Sequence, residues 1–249
     1  MLEELLLFIA VGFAAQLVDG AIGMAYGLTG TSVLLSLGIT PAVASASIHA
    51  AEVFTTGASG IAHWRFGNLD RSLIWKLAIP GMIGGAVGAY VLGVAPGGII
   101  RPIISGYLLI MGAVILWKAL HKRPHEAGLP ERVGILGLFG GLLDAIGGGG
   151  WGPLVTSTLI ATGLKPRIAI GSSIAAEFFV TTVISATFVA TIGLELWPII
   201  TGLIIGGVVA APFAAYAARR LPDRPIMILV AVIIMLLSIR GLVQALLGS

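Results

Sequence analysis

Two stretches of the chain are copies of one another. Residues 19–57 align without a gap over residues 144–182. The matches include Asp19 with Asp144, Gly23 with Gly148, Gly27 with Gly152, Thr31 with Thr156, Ser32 with Ser157, Pro41 with Pro166, Ser47 with Ser172, and Ala50-Ala51-Glu52 with Ala175-Ala176-Glu177. Tyr26 falls opposite Trp151, an aromatic for an aromatic. Biased composition would line up Ala and Leu, but not Asp, Pro and Glu in one frame. Self-similarity at a fixed offset marks a duplicated structural unit, so any fold for this chain is built from two equivalent halves.

Each half offers five apolar segments, divided at charges, Pro and Gly. They run over about 2–18, 21–38, 42–62, 72–94 and 100–118, then 133–143, 150–163, 167–191, 197–218 and 226–247. Hydrophobic residues make up 57% of the sequence and charged residues 10%, where soluble domains carry roughly a quarter charged. A water-soluble globule cannot hide that much apolar surface. Soluble enzymes and nucleic-acid binders are therefore excluded, and an all-α integral membrane protein is expected. Residues 1–118 form the first membrane repeat, 119–132 a cytoplasmic linker and 133–249 the second repeat. The absence of cysteine removes disulfides, thiolate metal ligands and cysteine nucleophiles. Acidic Glu3 and Glu4 stand where a signal peptide needs basic residues, so the N-terminus reads as a retained first membrane segment.

An odd number of segments per half obliges the two repeats to enter the membrane in opposite senses, the inverted-topology plan of many secondary transporters. Basic residues support this count. Alternate segment ends place Arg65, Arg71, Lys76, Lys118, Lys122, Arg123, Arg132, Lys165, Arg167, Arg219, Arg220 and Arg224 on one side, and only Arg101 and Arg240 on the other. Positive residues mark the cytoplasmic face, which puts both termini outside a cytoplasmic membrane. A spanning helix needs about 20 apolar residues, and the first two segments of each half fall short of that. Each pair is expected to form a re-entrant helical hairpin, giving six full spans plus two hairpins, with ten full spans as the alternative.

The expected hairpin tips are Asp19-Gly20-Ala21-Ile22-Gly23-Met24-Ala25-Tyr26-Gly27 and Asp144-Ala145-Ile146-Gly147-Gly148-Gly149-Gly150-Trp151-Gly152. Irregular backbone at membrane depth survives only inside protein or beside a water-filled cavity. Glycine lets the chain turn there and leaves N–H groups unobstructed. The helix restarting after each tip directs a positive dipole end at the break, which favours anions. Two such ends would form an anion site containing no Lys or Arg. The tip glycines could equally allow close helix crossing, the reading that suits the pairs Gly81/Gly85 and Gly84/Gly88, within one chain or between copies of a homo-oligomer. The match of Gly147-x-Gly149-x-x-Gly152 to a dinucleotide fingerprint has no strand before it and is rejected.

Ionisable residues inside membrane segments are functional candidates by default. Here they are Asp19, Asp144, Glu52, Glu177 and His49. Each Glu lies eleven residues beyond its Pro, near mid-helix. His49 precedes Glu52 by three residues and shares its face, whereas the second copy has Ile174 there. Asp19 and Asp144 could equally cap the helices that follow them, the two Glu could be neutral acids bonded to hairpin backbone, and His49 could be a satisfied core residue. Four ionised acids would repel an anion, but desolvation favours neutral carboxyl groups, which also suits proton exchange at Glu52, Glu177 and His49. Trp64, Trp75, Trp117 and Trp197 lie near segment ends and suit an interfacial belt, while Trp151 is expected to line a cavity. His121 and His125 fall in a charged loop. No metal site and no cofactor are expected.

An Asp-plus-Gly-rich segment followed by Pro and an Ala-Ala-Glu-bearing helix, present twice, resembles the TauE/SafE sulfite exporter family. The likeness covers nearly the whole chain, with its signature clearest at Asp144–Gly152. The first copy is less glycine-rich, having Ile22, Met24 and Ala25 where the second has Gly. The resemblance implies a transporter, not an enzyme, for small sulfur-containing or carboxylate anions such as sulfite, sulfoacetate or other organosulfonates. It carries over the two tips and the pair Glu52 and Glu177. The expected substrate contacts are Asp19, Gly20, Gly23, Tyr26, Gly27, Thr31, Ser47, Asp144, Gly147, Gly148, Gly149, Gly150, Trp151, Ser172 and Ser173, with Ser32, Thr156 and Ser157 as further hydroxyl donors. Expected partners are a small anion, protons and membrane lipid. An anion channel with the same pore is the nearest alternative. A membrane-embedded enzyme would want its acids or His at a membrane surface, and these lie at mid-segment.

Overall fold

The computed structural model describes residues 2–22, 24, 26–121, 132–162, 164–193, 197–217 and 223–247, and among these it is helical throughout, with turns between. The first half contains α1 (Leu2–Ile22), α2 (Tyr26–Ser36), α3 (Pro41–Arg65), α4 (Arg71–Val94) and α5 (Gly97–Leu120). The second contains α6 (Val133–Gly147), a π-helical turn (Gly152–Thr156) running into α7 (Ser157–Ala161), then α8 (Pro166–Thr191), α9 (Trp197–Ala217) and α10 (Asp223–Leu247).

Local chemistry sets the boundaries. Pro41 and Pro166 open α3 and α8, where a missing N–H costs nothing and the fixed φ suits the helix. Asp70 caps α4 by accepting the Leu73 N–H at 3.1 Å. The helix α1 runs four residues further than the apolar run 2–18 and carries Asp19 within it, and α6 likewise extends to Gly147 and carries Asp144. Neither acid therefore stands ahead of a helix start. The break falls after both of them.

The two halves contribute equivalent contacts. The helix α1 lies along α9 as α6 lies along α4, and α3 touches α9 as α8 touches α4. Across the centre, α3 packs on α8 and α5 on α10. Exchanging the halves returns the same pairings. Close crossing is made by small residues: an added Cβ on Gly84 would collide with the Leu138 carbonyl, and one on Gly141 with the Gly81 carbonyl. On the other side, Gly206 meets the Ile9 carbonyl in the same manner. The Gly81/Gly85 pair takes Trp151, Val180 and Ile184 against it. Both glycine pairs of α4 are thus filled from within the chain.

The exterior is apolar. Along α4, Ile79, Ile83, Val87, Tyr90 and Val94 are all exposed, a stripe at helical spacing on the side away from the core. Arg71–Val94, Ile100–Leu120 and Arg167–Thr191 are each long and apolar enough to cross a bilayer. Trp64, Trp75, Trp117 and Trp197 are exposed at helix ends, where amphipathic rings suit the membrane–water boundary.

Candidate functional site

The breaks after α1 and α6 meet at the centre of the bundle. Asp144 sits in the last turn of α6, and its backbone carbonyl accepts the N–H groups of Gly148 and Gly149, closing the helix. Gly148 has φ +64° and Gly149 φ +142°, backbone conformations that side-chain-bearing residues rarely adopt. The chain thus reverses within two residues. That reversal brings the start of the next helix back over the acid: Asp144 Oδ1 accepts the N–H of Gly150 at 2.8 Å and of Trp151 at 3.0 Å. Asp19 Oδ1 accepts the Tyr26 N–H at 3.4 Å. Both acids cap the helix that follows from inside the one before. The helix ends expected to offer free N–H groups to an anion already face carboxylates.

The two tips also touch each other. An added Cβ on Gly27 would lie 2.6 Å from Gly149 Cα and 2.8 Å from the Gly148 carbonyl oxygen. The Thr31 hydroxyl donates to that same carbonyl at 2.5 Å. Tyr107 of α5 fills the space over Gly147 and Gly150, and its hydroxyl donates to the Gly149 carbonyl at 3.3 Å. The glycines of the second tip therefore serve close packing as well as the turn.

The helix α3 supplies the facing wall. Ser45, His49, Glu52 and Thr56 recur at one helical face, and all are buried. His49 Nδ1 meets the Ser45 carbonyl at 2.8 Å; a carbonyl only accepts, so Nδ1 carries a proton. The Ser45 hydroxyl donates to the Ala145 carbonyl at 2.7 Å, tying α3 to α6. His49 Nε2 then points to Asp144 Oδ2 at 3.3 Å and Glu52 Oε2 at 3.9 Å. Thr181 of α8 donates to the His49 carbonyl at 3.2 Å.

Asp19, Glu52, Asp144 and Glu177 line one small cavity together with Tyr26, Gly27, Leu28, Gly149, Gly150, Gly152 and Pro153. It leaves about 10 Å³ for the centre of a water-sized sphere, room for about one water molecule. All four acids, from both halves, share this space.

Other expected site residues lie elsewhere. The Ser172 hydroxyl accepts the Asp70 N–H at 2.8 Å, at the turn between α3 and α4. Ser47 is buried but does not line the cavity. The Trp151 ring is wholly buried, packed against Gly81 and Gly140, with Nε1 donating to Ser173 Oγ at 2.9 Å. Its indole is core rather than cavity wall, because the glycines of α4 and α6 leave a slot of its size. Ser173 also receives the Thr156 hydroxyl at 2.7 Å, so its oxygen is engaged inside the protein. Gly20 lies within α1, and Gly23 falls outside the described residues, as does His125. His121 closes α5 and bonds to the Trp117 carbonyl at 2.9 Å.

Sequence reasoning passed over Tyr107, Ser45 and Lys118. The Lys118 ammonium donates to the Pro153 carbonyl at 2.8 Å and to the Ser157 hydroxyl, anchoring the π-helical turn to α5. Ser45 had a signal, lying one turn before His49. Tyr107 and Lys118 reach the tip only across the fold.

The sulfite exporter TauE/SafE family model matches residues 8–241. A probable membrane transporter protein, YtnM of Bacillus subtilis (strain 168), is 40% identical over 253 aligned positions, covering 98% of this chain and 84% of that protein. With an apolar exterior and two helix breaks meeting over buried acids, the chain belongs to the sulfite exporter TauE/SafE family of multi-pass membrane transporters.

Proposed function

We propose that this chain is a secondary transporter moving small sulfur-containing oxyanions, sulfite or organosulfonates such as sulfoacetate, across the cytoplasmic membrane with proton coupling. One observation carries the reading: acids from both halves line a single small cavity where two broken helices meet. Discontinuous helices meeting near mid-membrane are the usual substrate site of inverted-repeat transporters. The family's description supplies the substrate class.

In this reading the halves cross the membrane in opposite senses, with both termini outside. α1 and α2 form one hairpin, and α6 and α7 the other. Glu52 and Glu177 take up protons, and His49 Nε2 exchanges one with Asp144 or Glu52. Protonation of Asp19 and Asp144 releases the backbone N–H groups of Tyr26, Gly150 and Trp151, which then hold the anion. The cavity, small in this state, widens as the hairpins part.

Counterflow in proteoliposomes tests this. Vesicles loaded with unlabelled sulfite or sulfoacetate should accumulate labelled anion transiently, and an imposed pH gradient should drive net uptake. Flux that neither saturates nor counterflows would instead make the pathway a channel. Transport of small carboxylates to the exclusion of sulfur oxyanions would move the substrate class.

A further inference from the structure

We propose that His49, Glu52 and Asp144 form a binding site for a first-row divalent metal ion. One ligand atom from each of the three lies within 4.8 Å of the others, and all three residues are at most 3% exposed. In a tetrahedral zinc-type site with bonds of about 2.0–2.1 Å, ligand atoms stand about 3.3 Å apart. His49 Nε2 and Asp144 Oδ2 are already at 3.3 Å, and Glu52 Oε2 stands 3.9 Å from Nε2.

Two of the three ligands are held by their other atom. His49 Nδ1–H bonds to the Ser45 carbonyl at 2.8 Å, the arrangement that orients metal-ligating histidines and leaves Nε2 for the ion. Asp144 Oδ1 is fixed by the N–H groups of Gly150 and Trp151, which leaves Oδ2. Among the described residues, Glu52 Oε2 is buried without any hydrogen-bond partner although it points at this cluster. A buried carboxylate oxygen left unbonded is costly, and an ion between the three side chains would satisfy it.

Charge and donor type narrow the ion. Two carboxylates and a neutral imidazole carry two negative charges, which a divalent cation cancels, and a neutral cluster is what a low-dielectric interior accepts. One nitrogen donor among oxygens suits manganese through zinc better than the all-oxygen sites of calcium or magnesium. The site exists once, because Ile174 replaces His49 in the second copy. Metal and proton compete for the same atoms, so binding weakens as pH falls.

The test is metal loading of the purified full-length chain after chelator treatment. Co(II) titration followed by visible absorption should show one equivalent bound. The X-ray absorption spectrum of the Zn(II)-loaded chain should show one imidazole nitrogen among oxygens. His49→Gln and Glu52→Gln should each weaken loading at least tenfold. Failure of wild-type protein to take up either ion, or a spectrum without imidazole, would overturn the proposal even if both variants fail to fold. Loading that survives His49→Gln unchanged would place the ion elsewhere and overturn it too. The readout is independent of transport, so a chain that binds metal but moves no anion sinks only the functional reading.

Discussion

The backbones of Gly27 and Gly149 meet directly, one from each half, with 2.6 Å between Gly149 Cα and the place a Gly27 Cβ would occupy. This contact joins the start of α2 to the tip after α6, and the cavity lies beside it. A methyl group on Gly27 must push the tips apart, and overpacking of this kind costs about 1–3 kcal/mol. Gly149→Ala adds backbone strain at φ +142°. Both variants should lower the melting temperature of the purified protein. Gly106→Ala, whose added Cβ meets nothing within 4 Å among the described residues, should be neutral or stabilising by about 0.5–1 kcal/mol. Equal melting of all three would mean that the tips yield freely.

The two aspartates cap unequally, and their variants should differ accordingly. Asp144 Oδ1 accepts two N–H groups at 2.8 and 3.0 Å, whereas Asp19 Oδ1 accepts one at 3.4 Å. Hydrogen bonds to charged groups contribute about 1.5–3 kcal/mol each. Asp144→Ala should therefore destabilise the protein clearly more than Asp19→Ala. Asp144→Asn, which keeps an acceptor oxygen, should recover part of the loss. Thermal melting decides the order, and an Asp19→Ala variant as unstable as Asp144→Ala would refute the unequal caps.

Coupling can be separated from translocation at the two glutamates. Glu52→Gln and Glu177→Gln keep size and shape but cannot exchange a proton. In proteoliposomes each should retain counterflow at equal pH while losing most of the uptake driven by a pH gradient. If both variants keep full gradient-driven uptake, protons do not couple through these residues.

Part of this arrangement was legible in the sequence. The frame shared by Asp19/Asp144 and Glu52/Glu177 identified the four acids that line the cavity, since polar residues survive in apolar segments only where protein surrounds them. Segment number followed from Pro, Gly and charge. The bounds did not: α1 and α6 run on past their acids because neither Asp19 nor Asp144 breaks a helix, and the turn waits for the positive-φ pair Gly148 and Gly149. Trp151 was misplaced for a different reason. Its distance from any segment end suggested a cavity wall, but Gly81 and Gly140 on two other helices close over the ring. Tyr107 was missed because nothing in α5 records which tip it covers.

The glycine crossings give the last test, and it bears on assembly as well as stability. Gly141 of α6 lies on the Gly81 carbonyl of α4, and Gly206 of α9 lies on the Ile9 carbonyl of α1. These are corresponding interfaces when the halves are exchanged. Val at either site would force apart two helices that touch through backbone, and relaxation would have to spread along the whole contact. Gly141→Val and Gly206→Val should each cost at least the 1–3 kcal/mol typical of overpacking, read as a fall in melting temperature. Because both faces are filled within one chain, neither change should alter the particle mass in detergent before the protein unfolds. A fall in mass at constant melting temperature would reverse the assignment, making these glycines contacts between copies.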